Sequence, residues 1–268
     1  MTDGNQRTAA QEDRNFDDAV EHFERKIGDA PKGLVRQAVL HRHLEETLPA
    51  LGGDVPLQVL DAGCGPGQSG RWLAARGHAV VFNDLSGRML ERCRERLAED
   101  CPDCSARFVP GPAQDLTASF AQGFDLVCFH AVLEWLAEPQ AGLEAVCRLV
   151  RPGGHLSLSF YNRDALMFRN LVRGNWRKVE SGRFSGHPGG LTPYHPLDID
   201  TVQAWLEEQG LQVIGVAGLR VLHDYLPAEL RDDRPLEELI RIEWKYCRHP
   251  AWMRLGRYLH LIARKTRR

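Results

Sequence analysis

No run of about eighteen consecutive apolar residues occurs in the sequence, so no membrane-spanning helix is expected. Residues 1–14, MTDGNQRTAAQEDR, lack the apolar stretch of a secretory leader; a disordered segment is expected there, and a cytoplasmic location for the chain. An excess of one charge is also missing. With 34 basic and 36 acidic residues the formal net charge is -2, which excludes a general attraction to nucleic acid or membrane, so an anionic partner has to be met locally. Seven cysteines, an odd number scattered through expected core segments, exclude a disulfide scaffold and suit a reducing compartment. Cys101-Pro-Asp-Cys104 has no second Cys/His pair at zinc spacing and no thioredoxin-like context, so a loop with two free thiols and no metal is expected. Internal repeats and low-complexity linkers are absent.

What remains is 268 residues, 43% apolar and 26% charged, ordinary for one globular domain. Phe16, Val20, Phe23 and Ile27 recur at helical spacing, and a second helix is expected from Pro31 or Lys32 to about Leu51, stopped by Gly52-Gly53. A βα alternation follows. Strands are expected at 57–62, 78–84, 106–110, 124–130, 155–162 (after a turn at 151–154), 211–222 and 256–265. Helices fill the gaps, with Ser86 as a cap and further helices at about 198–209 and 236–246. This pattern predicts an α/β domain over 15–268: a mostly parallel sheet covered on both faces, an N-terminal helical cover (15–52) and two insertions (163–197 and 226–250).

Between the first strand and its helix lies Leu60-Asp-Ala-Gly-Cys-Gly-Pro-Gly67. Small residues there permit positive φ and close approach of a ligand. The turn lies at the carboxyl end of a strand, where open α/β sheets bind ligands, and Asp84 ends the second strand, where a carboxylate can accept two ribose hydroxyls. Gly65-Pro-Gly-Gln-Ser-Gly70 also matches the dinucleotide fingerprint, so the turn alone leaves nicotinamide and sulfonium nucleosides both open.

Four segments in order resemble class I methyltransferases: Val59–Gly67 their first motif, Ala113-Gln-Asp115 the loop framing adenine, Phe124–Ala131 their fourth strand, and Leu149–Gly154 the turn before their fifth. The resemblance implies a Rossmann-like sheet of order 3-2-1-4-5-7-6 with the seventh strand antiparallel, and S-adenosylmethionine as cofactor. A closer resemblance rests on Asp13–Asp18, Lys32–Arg36, Phe129–Trp135, Phe160–Asn162, Leu219–Leu226, Tyr246–Arg248 and Leu255–His260. On these the chain resembles the bacterial tRNA 5-carboxymethoxyuridine methyltransferases, from about Asp13 to Lys265. That implies methyl esterification of 5-carboxymethoxyuridine at the wobble position, with the anticodon region of tRNA as partner. It also implies cofactor contacts at Arg36, Gly63, Cys64, Asp84, Ala113, Gln114 and His130. Cys64 stands where family members have glycine, a change that a backbone contact survives. Residues 182–191 depart from a lysine run found in the family.

Charge distribution agrees with an RNA partner. Arg163, Arg169, Arg173, Arg177, Lys178 and Arg183 face only Asp164 and Glu180 over 162–190, and nine basic residues face Glu243 alone over 241–268. Phe168, Trp176, Phe184 and Tyr194 are available for stacking on bases. A carboxylate acceptor is already anionic, so no general base is expected and catalysis reduces to in-line positioning. Tyr161, Asn162, Arg220 and His223 are the candidates for the acceptor pocket, against the alternative that they form a structural network at the sheet's edge. Competing readings are a class I methyltransferase acting on a small-molecule acceptor, a non-catalytic RNA-binding protein, and an oxidoreductase.

Overall fold

The computed structural model describes residues 12–25, 30–104, 106–182, 184 and 193–267. Strands run over Gln58–Ala62 (β1), Ala79–Asp84 (β2), Ala106–Pro110 (β3), Phe124–His130 (β4), Val150–Tyr161 (β5), Leu211–Leu219 (β6) and Tyr258–Lys265 (β7). They form one sheet in the order β3-β2-β1-β4-β5-β7-β6. All neighbours pair in parallel except β7, which is antiparallel to both β5 and β6. The central strand explains the layering. Every residue of β4 except His130 is buried, as expected where helices cover both faces of a parallel sheet. The outer strand β3 exposes Arg107 and Pro110, residue types that discourage further strand pairing.

Helices are Val20–Phe23 (α1), Pro31–Thr47 (α2), Gln68–Ala74 (α3), Gly87–Asp100 (α4), Pro139–Arg148 (α5), Arg163–Val172 (α6), Trp176–Ser181 (α7), Ile199–Glu208 (α8), Ala228–Asp232 (α9) and Leu236–Tyr246 (α10). Local chemistry sets several of their starts. Pro31 occupies the first turn of α2, where its missing N–H costs nothing. Ser86, Asn162 and Asp198 cap α4, α6 and α8 by accepting from the backbone N–H of Met89, Asp164 and Thr201. Leu143, Val146 and Leu206 join one apolar layer with Leu156, Leu158 and Leu261. Leu44, Leu73, Leu90 and Leu97 form the opposite layer against Val59, Phe82 and Leu126.

Four expectations change. Phe16 lies outside the first helix, which is only the short α1; the repeat at 16, 20 and 23 is not one continuous face, and Ile27 lies outside the described residues. Residues 1–11 also lie outside them, but Asp13 and Arg14, expected to be disordered, are held in place. Asp13 Oδ1 accepts from Ala137 N at 2.7 Å, and Arg14 N donates to Trp135 O at 3.1 Å. Strand β5 starts at Val150, because the register shift between the Phe124 and Leu126 pairings absorbs the expected turn at 151–154. Cys101 and Cys104 are not free thiols but a disulfide: the turn after α4, closed by Cys104 N donating to Cys101 O at 3.1 Å, brings their Cα atoms to 5.4 Å. The first insertion is more regular than its composition suggests, since α6 and α7 fill most of its described part.

Candidate functional site

The order of strands reverses between β1 and β4, and the crevice outside their carboxyl ends is where such sheets bind ligands. A cleft opens there. Register places its walls: Ala62 pairs with Asn83 on one side and Phe129 on the other, so Gly63, Asp84 and His130 all emerge at the same edge. Gly63 has φ +61°, and a Cβ there would meet Val132 Cγ2 at 2.5 Å, so both conformation and space require glycine. Gly67, with φ +77°, starts α3 in the left-handed region.

Asp84 is held by two backbone donors. Gly65 N reaches Oδ2 at 2.7 Å and Ser86 N reaches Oδ1 at 2.8 Å. A carboxylate has about four lone-pair positions, so one on each oxygen remains for a diol. Burial raises the Asp84 pKa, and the bonds from Ser86 and Gly65 oppose that rise. Behind it, burial pushes Asp61 up to about 7, although its Oδ2 accepts from Gly70 N at 2.8 Å.

Arg36 is 6% exposed and lines the same cleft. Its guanidinium lies 5.2 Å from the Tyr258 ring centroid and has no ion pair or hydrogen bond among the described residues. The buried carboxyl of Glu134 feels its charge without pairing with it, and a buried guanidinium not directly paired is a ready seat for a ligand carboxylate. Gln114 donates from Nε2 to Asp13 Oδ2 at 2.8 Å, leaving its second amide hydrogen and its oxygen for a ligand edge. Cys64 is fixed through its backbone, its N–H donating to Asn83 O at 2.8 Å; the side chain that replaces the family's glycine is accommodated.

His130 belongs to a buried polar chain. Its Nδ1 lies 3.1 Å from Ser69 Oγ and its Nε2 lies 2.7 Å from Ser157 Oγ. Ser157 Oγ continues to His260 Nε2 at 2.8 Å, and His260 Nδ1 meets His43 Nδ1 at 2.9 Å. Burial, reinforced by the charges of His41 and Arg36, lowers His130 to about 3, so it is neutral near pH 7.

Thus Arg36, Gly63, Cys64, Asp84, Ala113, Gln114 and His130, from five separate segments, line one cleft. Asp13, Arg14, Phe16, Ser69 and Tyr258 line it too and were not singled out from sequence. Asp13, Arg14, Phe16 and Tyr258 stand within segments that carried the closer resemblance, but nothing in those segments alone assigned them to the cleft.

The acceptor-side candidates lie elsewhere, beyond Tyr258. Asn162 is occupied by structure: it caps α6 and donates from Nδ2 to Arg254 O at 2.7 Å and Gly256 O at 2.9 Å. Arg220 and His223 both bind Asp224, at 3.1 Å from Arg220 Nε and 3.1 Å from His223 Nδ1. The Tyr161 hydroxyl accepts from Arg257 Nη1 at 3.0 Å. Asp224 and Arg257 were missed, although both stand within segments that carried the family resemblance. Two of the four stacking aromatics are also corrected: Phe184 and Tyr194 are buried, whereas Trp176 is 64% and Phe168 39% exposed. Arg183 and most of 182–191 lie outside the described residues.

Comparison with known proteins agrees with this geometry. A sequence family described as "Methyltransferase domain" matches residues 60–158. A tRNA 5-carboxymethoxyuridine methyltransferase of Escherichia coli is 41% identical over 95% of this chain and 97% of its own. The malonyl-[acyl-carrier protein] O-methyltransferase of Salmonella typhimurium is 25% identical, covering 87% of this chain and 90% of its own. Among solved structures, magnesium protoporphyrin IX methyltransferase from Synechocystis, with bound SAH, superposes with TM-score 0.64 at 18% identity, covering 94% of this chain and 96% of its own.

Proposed function

The chain belongs to the tRNA 5-carboxymethoxyuridine methyltransferase family, and on that premise we propose that it esterifies the carboxylate of 5-carboxymethoxyuridine at the tRNA wobble position, using S-adenosylmethionine. The observation that carries this reading is a pair of unmet partners in one cleft: a carboxylate with acceptor capacity left (Asp84) and a buried guanidinium with no hydrogen bond or ion pair among the described residues (Arg36). A nucleoside diol and an amino-acid carboxylate are the two ends of S-adenosylmethionine, so the residues fit that group.

When bound, S-adenosylmethionine supplies an electrophilic methyl carbon on a positively charged sulfur. The chain's own residues do the rest. Asp84 orients the ribose, Arg36 fixes the carboxylate, Gln114 meets the adenine edge, and the small residues at Gly63 and Ala113 allow close approach. Neutral His130 and Trp135 help close the cleft against water. No proton has to be removed from an anionic acceptor, and the described residues include no imidazole in the cleft tuned as a base, since His130 titrates near 3.

We assign Tyr161, Arg220 and His223 to the acceptor side, with Asn162 supporting it as the cap of α6 and Asp224 holding Arg220 and His223. Exposed and without ion pairs among the described residues, Arg163, Arg173, Arg177 and Lys178 lie on or beside α6 and α7, which also expose Trp176, and offer phosphate contacts together with a stacking surface. The test is mass spectrometry of tRNA nucleosides from a strain lacking the gene. Loss of the methyl ester with accumulation of the free acid is expected; an unchanged ester content rejects the substrate.

A further inference from the structure

Four segments meet on the far side of Tyr258 from the glycine turn: Tyr161 at the end of β5, Arg169 on α6, Arg220–Tyr225 after β6, and Arg257 just before β7. The sheet's direction brings them together, since β5 and β6 end, and β7 begins, at the same edge as the cleft. Tyr258 joins the two regions. It lines the cleft, its ring lies 5.2 Å from the Arg36 guanidinium, 5.9 Å from that of Arg220, and 5.5 Å from the Tyr161 ring. Arg220 holds φ +62°, a backbone conformation that non-glycine residues seldom adopt and that clusters at ligand-binding sites.

The charges in this group do not balance. Arg220 and Arg257, each 7% exposed, share the single carboxylate of Asp224, which Arg257 Nε reaches at 2.7 Å. Glu243 does not help, because its oxygens accept the backbone N–H of Val221, Leu222 and His223 at 2.7, 3.0 and 2.6 Å. Arg169, half-buried, makes no ion pair or hydrogen bond among the described residues, and its Nε is buried without a partner. Burial and the neighbouring charge of Arg257 lower its pKa. Arg257 uses Nε and Nη1 and has no partner for Nη2 among the described residues. Three guanidiniums thus surround one aspartate, and buried donors without acceptors are costly unless a ligand completes them.

We propose that Arg169 and Arg257 seat the anionic carboxylate of the acceptor next to the cofactor cleft, with Arg220 and Asp224 as positioning residues that hold Arg257 in place. This deepens the methyltransferase reading and rests on it. The step balances without a base. A lone pair on the acceptor oxygen forms the new bond to the methyl carbon, the carbon–sulfur bond breaks with its pair on sulfur, and no proton moves. The acceptor changes from anion to neutral ester as the sulfur loses its positive charge. The two arginines then lose their counter-charge, so the same seat that captures the acid favours release of the ester.

A phosphate of the RNA has the same anionic chemistry, and the test separates the two sources. Three anticodon stem-loop RNAs, identical except for free acid, methyl ester or plain uridine at the wobble position, are titrated against protein saturated with S-adenosylhomocysteine. Arg169→Gln is the main variant, because Arg169 makes no hydrogen bond or ion pair among the described residues whose loss would disturb folding. It is expected to weaken the acid RNA about tenfold or more while leaving the ester and uridine RNAs within about twofold, with Arg169→Lys recovering part of the loss. Arg257→Lys is expected to raise KM for the acid RNA while KM for S-adenosylmethionine is unchanged. Equal weakening of all three RNAs by Arg169→Gln assigns the residue to a phosphate and overturns the proposal, as does no weakening of any. Wild-type turnover is the control: failure to esterify the acid RNA rejects the methyltransferase reading itself, whereas normal turnover with unchanged Arg169→Gln discrimination overturns only the carboxylate seat.

Discussion

At the scale of single residues, the cleft depends on groups whose hydrogen bonds are half complete. Asp84 is the clearest. Asp84→Ala is expected to weaken S-adenosylmethionine binding by about ten- to a hundredfold, the range for losing hydrogen bonds to a charged acceptor. Calorimetry checks it, and unchanged affinity would remove Asp84 from the site. Gly63→Ala combines positive φ with a Cβ 2.5 Å from Val132. It is expected to lower stability by about 1–3 kcal/mol and weaken the cofactor, measured by thermal melts with and without ligand. The sequence reached Gly63, Cys64, Asp84 and His130 because they sit in the glycine turn or at strand ends, where position follows from the βα pattern, whereas it reached Arg36 on α2 and Ala113-Gln114 after β3 only through the family resemblance. It did not reach Asp13 and Arg14, because nothing local distinguishes an anchored polar segment from a loose one. On the acceptor side Arg220 and His223 were legible, yet the carboxylate that organises them, Asp224, and its other partner, Arg257, become visible only when β6 and β7 are side by side.

At the scale of elements, the buried histidine chain ties β4, β5, β7 and α2 together and gives the fold a pH dependence. Burial lowers His41 and His130 to about 3, His43 to about 4, and His260 well below its ordinary value. An unfolded chain protonates these rings near 6.5, the folded one only at far lower pH, so their contribution is present above 6.5 and is lost on acidification. Asp61 and Glu134, both pushed up to about 7 by burial, act oppositely: their contribution is present below their ordinary values of 3.8 and 4.5 and fades as pH rises through 7. His78 and His155 are lowered as well, and Asp84 and Glu243 raised, so six imidazoles stand against four carboxyls and the melting temperature is expected to fall between pH 6.5 and 5. His43→Gln should flatten that fall by up to about 1.4 kcal/mol per pH unit. A flat or rising profile in the parent protein would contradict the buried neutral chain. None of this was legible in sequence, since histidines at 41, 43, 130 and 260 are brought together only by the sheet. The strands themselves were, with β3 and β4 matching residue for residue, because apolar runs between helices admit few other arrangements. The helical character of α6 and α7 was obscured by a composition rich in arginine, glycine and aromatics.

At the scale of the whole molecule, a chain of net charge -2 has to meet an RNA through a local concentration of cations. The exposed residues of α6 and α7 provide one, with Arg173, Arg177 and Lys178 close to Trp176 in sequence. Replacing those three cations by alanine is expected to reduce the slope of log K against log salt by about 2 for a single-stranded loop, without changing S-adenosylmethionine affinity. An unchanged slope would move the RNA contact to another surface. Sheet order was legible at this scale through the ordered methyltransferase-like segments. How the second half of the sheet gathers four arginine-bearing or tyrosine-bearing segments beside Tyr258 was not, because those contacts span long separations in sequence. The most direct test of the account is a single reaction: purified protein, trideuteromethyl S-adenosylmethionine and an anticodon stem-loop bearing the free acid, followed by nucleoside mass spectrometry. The account predicts one trideuteromethyl group, on the carboxyl of the modified uridine, with one S-adenosylhomocysteine formed per ester. Label elsewhere on the RNA, or none at all with the cofactor left intact, would contradict it.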